Sequence, residues 1–270
     1  MEAINMKKIY GEKIKAVVFD WAGTTVDYGC FAPVQAFVEV FKHFGIEPTM
    51  DEVREPMGML KIDHIRTMLS MPRIHNLWVK EHGTEPSEDH VLQMYDLFES
   101  KLMSILDRFT TLKPYVPETV EYLREKNIKI GSTTGYTDAM MEVVTKGAKE
   151  QGYEPDAWFS PDSTEGIGRP YPYMIFKNLE ALKVSTVKNV VKIGDTVSDI
   201  KEARHAGVIS VGVVEGSSEM GLTKEEYENM TDSQKETVCR KVKETFKNAG
   251  AHYVIQNLSG LEELLKKLTQ

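Results

Sequence analysis

Carboxylate and hydroxyl side chains follow three apolar, β-rich runs of the sequence. Asp20 follows AVVF, Thr134 follows IKIGST, and Asp195 and Asp199 lie in GDTVSD, at the end of VVKIG. Taken singly, an aspartate after a strand is typical of a turn or a helix cap. If the strands are parallel, however, their carboxyl ends meet at one edge of the sheet. Carboxylates brought close repel one another, and hard oxygen ligands suit Mg²⁺, so the three segments together predict a cation site.

Basic residues elsewhere in the chain could complete such a site. Arg169 lies in GRPYP, before a predicted helix, and would place a guanidinium beside Asp20 and a bound phosphoryl group; a surface arginine is the alternative. Lys61 and His64 are three residues apart, so on a helix their side chains share a face. A desolvated lysine amine beside an imidazole can attack a carbonyl and form a Schiff base. The alternative for this pair is a solvated helix face.

The elements that must position these residues are read from the hydrophobic pattern. Short β-rich runs alternate with helical patterns through most of the chain, which indicates βαβ units and a parallel sheet. Six runs predict a doubly wound, Rossmann-like α/β core. They span residues 14–20, 128–133, 157–160, 190–194, 209–214 and 252–256.

Residues 29–108 interrupt this alternation, because only helical patterns occur there. Two helices are predicted from apolar faces at helical spacing, the second of them after an N-cap at Ser87. The two faces consist of Val34, Phe37, Val38 and Phe41, and of Val91, Met94, Tyr95, Phe98, Leu102, Ile105 and Leu106. An insert directly after the first strand lies over the ligand crevice. We therefore interpret residues 29–108 as an all-helical cap domain, and residues 1–28 with 109–270 as the core.

Composition and charge argue against several classes of protein. The 270 residues carry a formal net charge of -8 with a pI near 5.5, and no dense Lys/Arg block indicates a nucleic-acid or anionic-membrane partner. Cys30 and Cys239 are too few and too far apart for a disulfide framework or a zinc site. The sequence shows no signal-peptide core and no apolar stretch of about 18 residues. We therefore expect a cytoplasmic enzyme.

The motifs, taken in order, resemble those of the haloacid dehalogenase superfamily. The segments DWAGTT, GSTT, GRPYP and GDTVSD carry the resemblance, which spans nearly the whole chain. It implies a Rossmann-like core, Mg²⁺ and an aspartyl-phosphate intermediate. The residues implied are Asp20 as nucleophile and metal ligand, Thr134 for the phosphoryl group, Arg169 to screen both, Asp195 for Mg²⁺, and Thr24 and Asp199 in support.

One position departs from the usual pattern of the superfamily. Phosphatases of the superfamily carry a second aspartate two residues after the nucleophile, which protonates the leaving oxygen and later activates water; here that residue is Ala22. Because removing a general acid–base group typically costs about 10²–10⁴-fold in rate, ordinary phosphate-ester hydrolysis is disfavoured. A capped phosphatase with another acid stays an alternative, as does a non-catalytic phosphate-binding protein. The backbone carbonyl of Ala22 can still bind the metal.

The combination of Ala22 with the segment PMGMLKIDH is similar to the phosphonatase group of this superfamily. The resemblance implies hydrolysis of the C–P bond of phosphonoacetaldehyde, a small phosphonate, to acetaldehyde and phosphate in phosphonate degradation. Lys61 would form a Schiff base with the aldehyde, and His64 would carry protons. The resemblance also implies a homodimer that pairs through the cap. Further pocket residues implied by it, for which packing or turn roles are the alternatives, are Cys30, Met57, Gly58 and Tyr136.

Overall fold

A computed structural model describes residues 13–269 of the chain. The first twelve residues of the predicted core segment 1–28, and Gln270, lie outside the described residues. Six parallel strands form one sheet in the order β3-β2-β1-β4-β5-β6, so the predicted doubly wound α/β fold is confirmed. The strands are β1 (Ala16–Phe19), β2 (Lys129–Thr133), β3 (Ala157–Phe159), β4 (Val190–Gly194), β5 (Ile209–Val213) and β6 (Tyr253–Ile255).

Twelve α-helices of the described chain surround and extend this sheet. They are α1 (Phe31–His43), α2 (Met50–Arg54), α3 (Lys61–Ser70), α4 (Pro72–His82), α5 (Glu88–Met103), α6 (Val116–Glu125), α7 (Asp138–Glu150), α8 (Tyr173–Ala181), α9 (Val197–Ala206), α10 (Lys224–Glu228), α11 (Asp232–Asn248) and α12 (Leu261–Leu268). Among residues 13–269, no helix combines the length and the apolar composition that crossing a bilayer requires.

Strand β1 is buried on both faces, which explains its uninterrupted apolar run. Ala16 and Val18 pack in a cluster that includes Ile175 of α8, whereas Val17 and Phe19 belong to the larger cluster of the opposite face. Strand order reverses between β1 and β4, and ligand sites of such sheets lie beyond the carboxyl ends of the strands at this point. The residue that follows β1 therefore lies at the crevice.

Helices α1–α5, which we call the cap, come directly after β1 and contain no strand. Phe37 of α1 stacks on Phe98 of α5 with ring centroids 4.2 Å apart, so the two predicted apolar faces meet. Ser87 caps α5, since its side chain accepts a hydrogen bond from the His90 N–H. The domain boundaries at residues 28 and 108 stay a prediction.

The predicted extent of the long cap helix is wrong at its C-terminal end. Ile105 and Leu106 were expected on its apolar face, but α5 ends at Met103. Ser104 follows, where its hydroxyl donates to the Lys101 carbonyl at 2.7 Å, and a 3₁₀ turn then begins at Leu106. Leu106 is buried nonetheless, because this turn directs it into the same core.

Candidate active site

Three strand ends converge where the sequence placed its carboxylates and hydroxyls. Asp20 follows β1, Thr134 follows β2 and Asp195 follows β4, and β1 pairs with both of the other strands. All three side chains are buried. Carboxylate oxygens of Asp20, Asp195 and Asp199 lie within 4.8 Å of one another. The crevice thus contains three carboxylates at a spacing that one cation can span.

The loop after β1 packs tightly against Asp195. Thr24 donates from Oγ1 to Asp195 Oδ1 at 3.0 Å. Gly23 has a φ of +90°, and a Cβ placed there would lie 2.0 Å from Asp195 Oδ2, so only glycine fits at this position. Ala22 lines the cavity beside Asp20 with its small side chain. No carboxylate therefore stands at the position that would hold the acid of a phosphatase.

Arg169 is buried and uses its guanidinium to join the carboxylates. Nη2 lies 2.7 Å from Asp20 Oδ1, Nη1 lies 3.1 Å from Asp199 Oδ1, and Nε lies 3.1 Å from Glu202 Oε2. Nη2 also donates to the carbonyl and hydroxyl of Thr133 at 2.9 and 2.8 Å. The predicted pairing of this arginine with Asp20 is therefore present, and the guanidinium plane is fixed on every side.

Lys192 and Glu202 belong to the same ionic network, although the sequence reasoning did not select them. Lys192 Nζ lies 2.9 Å from Asp199 Oδ1 and 3.6 Å from Glu202 Oε2, and both side chains are buried. Two signals were available: a lysine inside the apolar run VVKIG, and a glutamate one helical turn after Asp199. Buried charges of this kind require partners.

Electrostatics divide the acidic residues into two groups. Burial raises the pKa of Asp195 well above its usual range, and the neighbouring charges of Asp20 and Asp199 act in the same direction. For Asp199, burial is outweighed by Arg169 and Lys192, which hold its pKa below its usual range. Asp199 is thus already paired with two basic side chains. The carboxylates of Asp195 and Asp20 repel each other, and a divalent cation between them would relieve this repulsion. The donor set of hard oxygens fits such a cation.

Across the crevice, the cap contributes Lys61, the first residue of α3. Its side chain is buried, and its Nζ lies 5.4 Å from the centroid of the Tyr136 ring. Burial lowers the pKa of Lys61, and the charge of Arg169 acts in the same direction. The charges of Asp20 and Asp195 oppose this shift, although among residues 13–269 neither forms an ion pair with Lys61 within 4.0 Å.

His64 lies one turn further along α3, behind Lys61. Its ring stacks on Phe37 with centroids 3.8 Å apart and is buried. Burial lowers the pKa of His64 well below its usual range, and the charge of Lys61 adds to this, while the nearby Val53 backbone opposes it. Among residues 13–269, those lining the cavity include Lys61 but not His64. His64 therefore does not reach the cavity itself, and any effect of it on a bound ligand would be exerted by way of Lys61.

A narrow cavity joins the strand ends to the cap. Gly58 has a φ of +83°, and a Cβ there would lie 2.3 Å from Thr196 Oγ1, so the cap backbone approaches the core loop closely. Tyr136 donates its N–H to Thr134 Oγ1 at 3.0 Å, which orients that hydroxyl. The predicted site residues that line the cavity are Asp20, Ala22, Cys30, Met57, Gly58, Lys61, Thr134, Tyr136, Arg169 and Asp195.

Lys113 is a second residue that the sequence reasoning missed. Its buried Nζ donates to the carbonyls of Glu215 and Gly216 at 2.8 and 2.9 Å, and also to the carbonyl of Gly23. Burial lowers its pKa to about 8. The lysine ties the loop after β1 to the loop after β5. The sequence gives no signal for it, because its partners are backbone atoms remote in the chain.

Comparison with known proteins identifies the family. The model of the haloacid dehalogenase-like hydrolases matches residues 14–207, which include the strands β1 to β4 and the cap. The chain belongs to the haloacid dehalogenase-like hydrolases. A protein from Oleispira antarctica, described as phosphonoacetaldehyde hydrolase-like, has a crystal structure that superimposes with a TM-score of 0.92 at 37% identity, covering 96% of this chain and 94% of that one.

Curated relatives are more similar still in sequence. Phosphonoacetaldehyde hydrolase of Lysinibacillus sphaericus is 52% identical over 258 residues, covering 96% of both chains. A bifunctional phosphonoacetaldehyde hydrolase/aminoethylphosphonate transaminase of Clostridioides difficile is 55% identical over 263 residues, which are 97% of this chain but 41% of the relative. The chain thus spans about two fifths of that relative. The resemblance to the phosphonatase group is confirmed.

Proposed function

We propose that this hydrolase cleaves the C–P bond of phosphonoacetaldehyde to acetaldehyde and phosphate. Relatives about half identical over nearly the whole chain carry that name. The observation that supports the chemistry most directly is one cavity lined by both a buried amine, Lys61, and a buried carboxylate, Asp20, with Ala22 beside them. The amine can bind an aldehyde while the carboxylate reaches phosphorus.

The first step assigns a covalent role to Lys61. Its burial favours the neutral amine, which adds to the aldehyde carbon, and water leaves as the C=N bond forms. The protonated imine is electron-poor at the carbon next to the CH₂–P group. It can therefore accept the electron pair of the C–P bond, which has no leaving oxygen to protonate. A proton donor at position 22 is unnecessary for this reaction.

The second step assigns the phosphorus end to Asp20. Its carboxylate attacks phosphorus as the C–P electron pair moves to carbon, which leaves an enamine on Lys61 and an acyl phosphate on Asp20. The enamine takes a proton at carbon and is hydrolysed to acetaldehyde, which regenerates the amine. Water then splits the acyl phosphate to phosphate. Because His64 lies behind Lys61 and outside the cavity lining, we assign it proton exchange with the Lys61 amine alone.

The remaining residues orient the phosphonate and offset its charge. Arg169, at 2.7 Å from Asp20, is placed to neutralise the equatorial oxygens, and Thr134 offers a hydroxyl. We assign Mg²⁺ to the carboxylates of Asp20 and Asp195 and the backbone carbonyl of Ala22, where it would supply further charge neutralisation. Asp199 and Thr24 hold Arg169 and Asp195 in place.

Product analysis with matched variants tests this function. Phosphonoacetaldehyde and Mg²⁺ are supplied, and acetaldehyde and phosphate are both measured for the parent, Lys61→Arg and Asp20→Asn. Arginine keeps the charge of Lys61 but not its nucleophilic amine, and asparagine removes the carboxylate of Asp20. Both variants should therefore fall to the background rate. The exposed cap lysine of Lys80→Arg provides the control and should leave the rate at the parent value.

Two outcomes would contradict the proposal. Release of acetaldehyde by Lys61→Arg at near-parent rates would exclude the imine. Turnover of a small phosphate ester by the parent, with no cleavage of the phosphonate, would instead assign the chain to the capped phosphatases.

A further inference from the structure

Arg54, the last residue of α2, joins the cap to the core at a distance from the cavity. Its Nη1 donates to the carbonyl of Gly29 at 2.9 Å and to the carbonyl of Ser218 at 3.1 Å. Its guanidinium also lies 4.9 Å from the centroid of the Phe31 ring. Gly29 and Phe31 begin the cap, whereas Ser218 belongs to the loop after β5. One side chain thus holds the cap, its connection and a core loop together.

Ser218, whose carbonyl accepts from Arg54, also contacts the predicted cation site. The N–H of Ser218 donates to Asp195 Oδ2 at 2.7 Å, and both residues are buried. The carbonyl and the N–H of the same residue are therefore held by Arg54 and Asp195 respectively. A second link runs beside it, because the Gly29 N–H donates to the Gly216 carbonyl at 2.8 Å.

The core loop is shaped to receive this arginine. Gly221 has a φ of +66°, and a Cβ there would lie 2.9 Å from Arg54 Nε, so the loop approaches the guanidinium closely. On its other side, the loop is held by Lys113 through the carbonyls of residues 215 and 216. Arg54 is therefore the side chain of α2 that holds this loop, beside the backbone link from Gly29.

We propose that Arg54 is a positioning residue that latches the cap onto residues 215–221 and thereby fixes the Ser218 N–H on Asp195. Orientation of a ligating carboxylate by its hydrogen-bond partners commonly sets metal affinity. Because the guanidinium bridges the cap and this loop, we expect cap docking and cation affinity to be coupled, and such coupling is reciprocal. The inference rests on the cation site and the cap contacts, and not on the aldehyde chemistry of Lys61.

Calorimetric titration of the substrate-free protein with Mg²⁺ alone tests the latch. Arg54→Met should weaken Mg²⁺ binding about 10-fold or more, because loss of a group that orients a metal ligand commonly has an effect of this size. Hydrogen exchange of the amides at residues 216–221 should quicken in the same variant. Arg54→Lys keeps the charge but cannot make both contacts, so its Mg²⁺ affinity should fall by a smaller factor.

A matched control separates the latch from general damage to the cap. Arg73 binds Glu52 of α2 with Nε at 2.7 Å, on an exposed face of the cap. Arg73→Met therefore loosens α2 without touching residues 215–221, and it should bind Mg²⁺ as the parent does.

Parent-like Mg²⁺ affinity and exchange in Arg54→Met would overturn the latch. If that variant does not fold, Arg54→Lys decides the matter, since a parent-like affinity there has the same consequence. Failure of phosphonoacetaldehyde cleavage in the parent would refute the proposed function but leave the Mg²⁺ titration unaffected. The two inferences can thus fail separately.

Discussion

Replacement of Lys192 by methionine tests the buried ionic network below the cavity. The network contains Lys192 and Arg169 on the basic side, and Asp20, Asp199 and Glu202 on the acidic side. Methionine keeps the unbranched stem but removes the ammonium that lies 2.9 Å from Asp199 Oδ1. Arg169 would then be the one side chain of this network left to pair with three carboxylates.

The expected loss of stability is large because every partner is buried. Removing one member of a buried ion pair typically costs about 3–5 kcal/mol, since the other charge is left uncompensated. For a chain of this size, about 1 kcal/mol corresponds to roughly 2–4 °C in Tm. Lys192→Met should therefore lower Tm by roughly 6–20 °C.

Urea unfolding of five proteins measures this effect and apportions it: the parent, Lys192→Met, Glu202→Gln, their double variant and a control. The double variant with Glu202→Gln removes one of the carboxylates that Lys192 leaves behind, and should recover about 1 kcal/mol or more relative to the sum of the single changes. Lys201→Met changes an exposed lysine on α9 and should stay within about 0.5 kcal/mol of the parent. A Lys192→Met protein within about 1 kcal/mol of the parent would refute the view that this lysine balances the buried acids.

Three further predictions concern the cap, its connection and the cation site. Gly58→Ala places a Cβ 2.3 Å from a core hydroxyl and should lower kcat/KM about 100-fold, whereas Gly83→Ala, also at positive φ but with nothing within 4 Å, should leave it unchanged. Burial raises the pKa of Asp27 from its usual value near 3.8 to about 6, so this group makes the fold less stable as pH rises through that window. Asp27→Asn should remove roughly 3 kcal/mol of that pH dependence from the free energy of unfolding, and an unchanged slope would contradict it. Mg²⁺ at about 100 times the Kd of the parent should stabilise the parent by about 2.7 kcal/mol in thermal unfolding. An equal gain in Asp195→Asn at the same Mg²⁺ concentration would argue against Asp195 as a ligand.

The sheet and the convergence at its edge were predictable because each rests on local pattern. Apolar runs with turn residues at their ends indicate strands, and parallel pairing then brings residues such as Asp20 and Asp195 to one edge. The Lys61–His64 spacing was equally informative, since it places both side chains along one helix. These inferences required no knowledge of which surfaces pack together.

The supporting contacts could not be predicted, because they join residues remote in the chain. Lys113 donates to the carbonyl of residue 23, and Arg54 to that of residue 218, and backbone acceptors leave no pattern in the sequence. Lys192 carried a signal, as a charge inside an apolar strand. Its partner Asp199 could not be predicted, because the contact depends on how α9 packs against β4. The end of α5 was missed because Ser104 stops the helix while the apolar spacing continues.

Borohydride reduction during turnover tests the central claim most directly. The protein is mixed with phosphonoacetaldehyde and Mg²⁺, reduced, digested and mapped by mass spectrometry. A reduced two-carbon or phosphonate-bearing adduct on the peptide containing Lys61, absent without substrate, is the result expected. Active protein that yields no adduct, or an adduct confined to another lysine, would contradict the account.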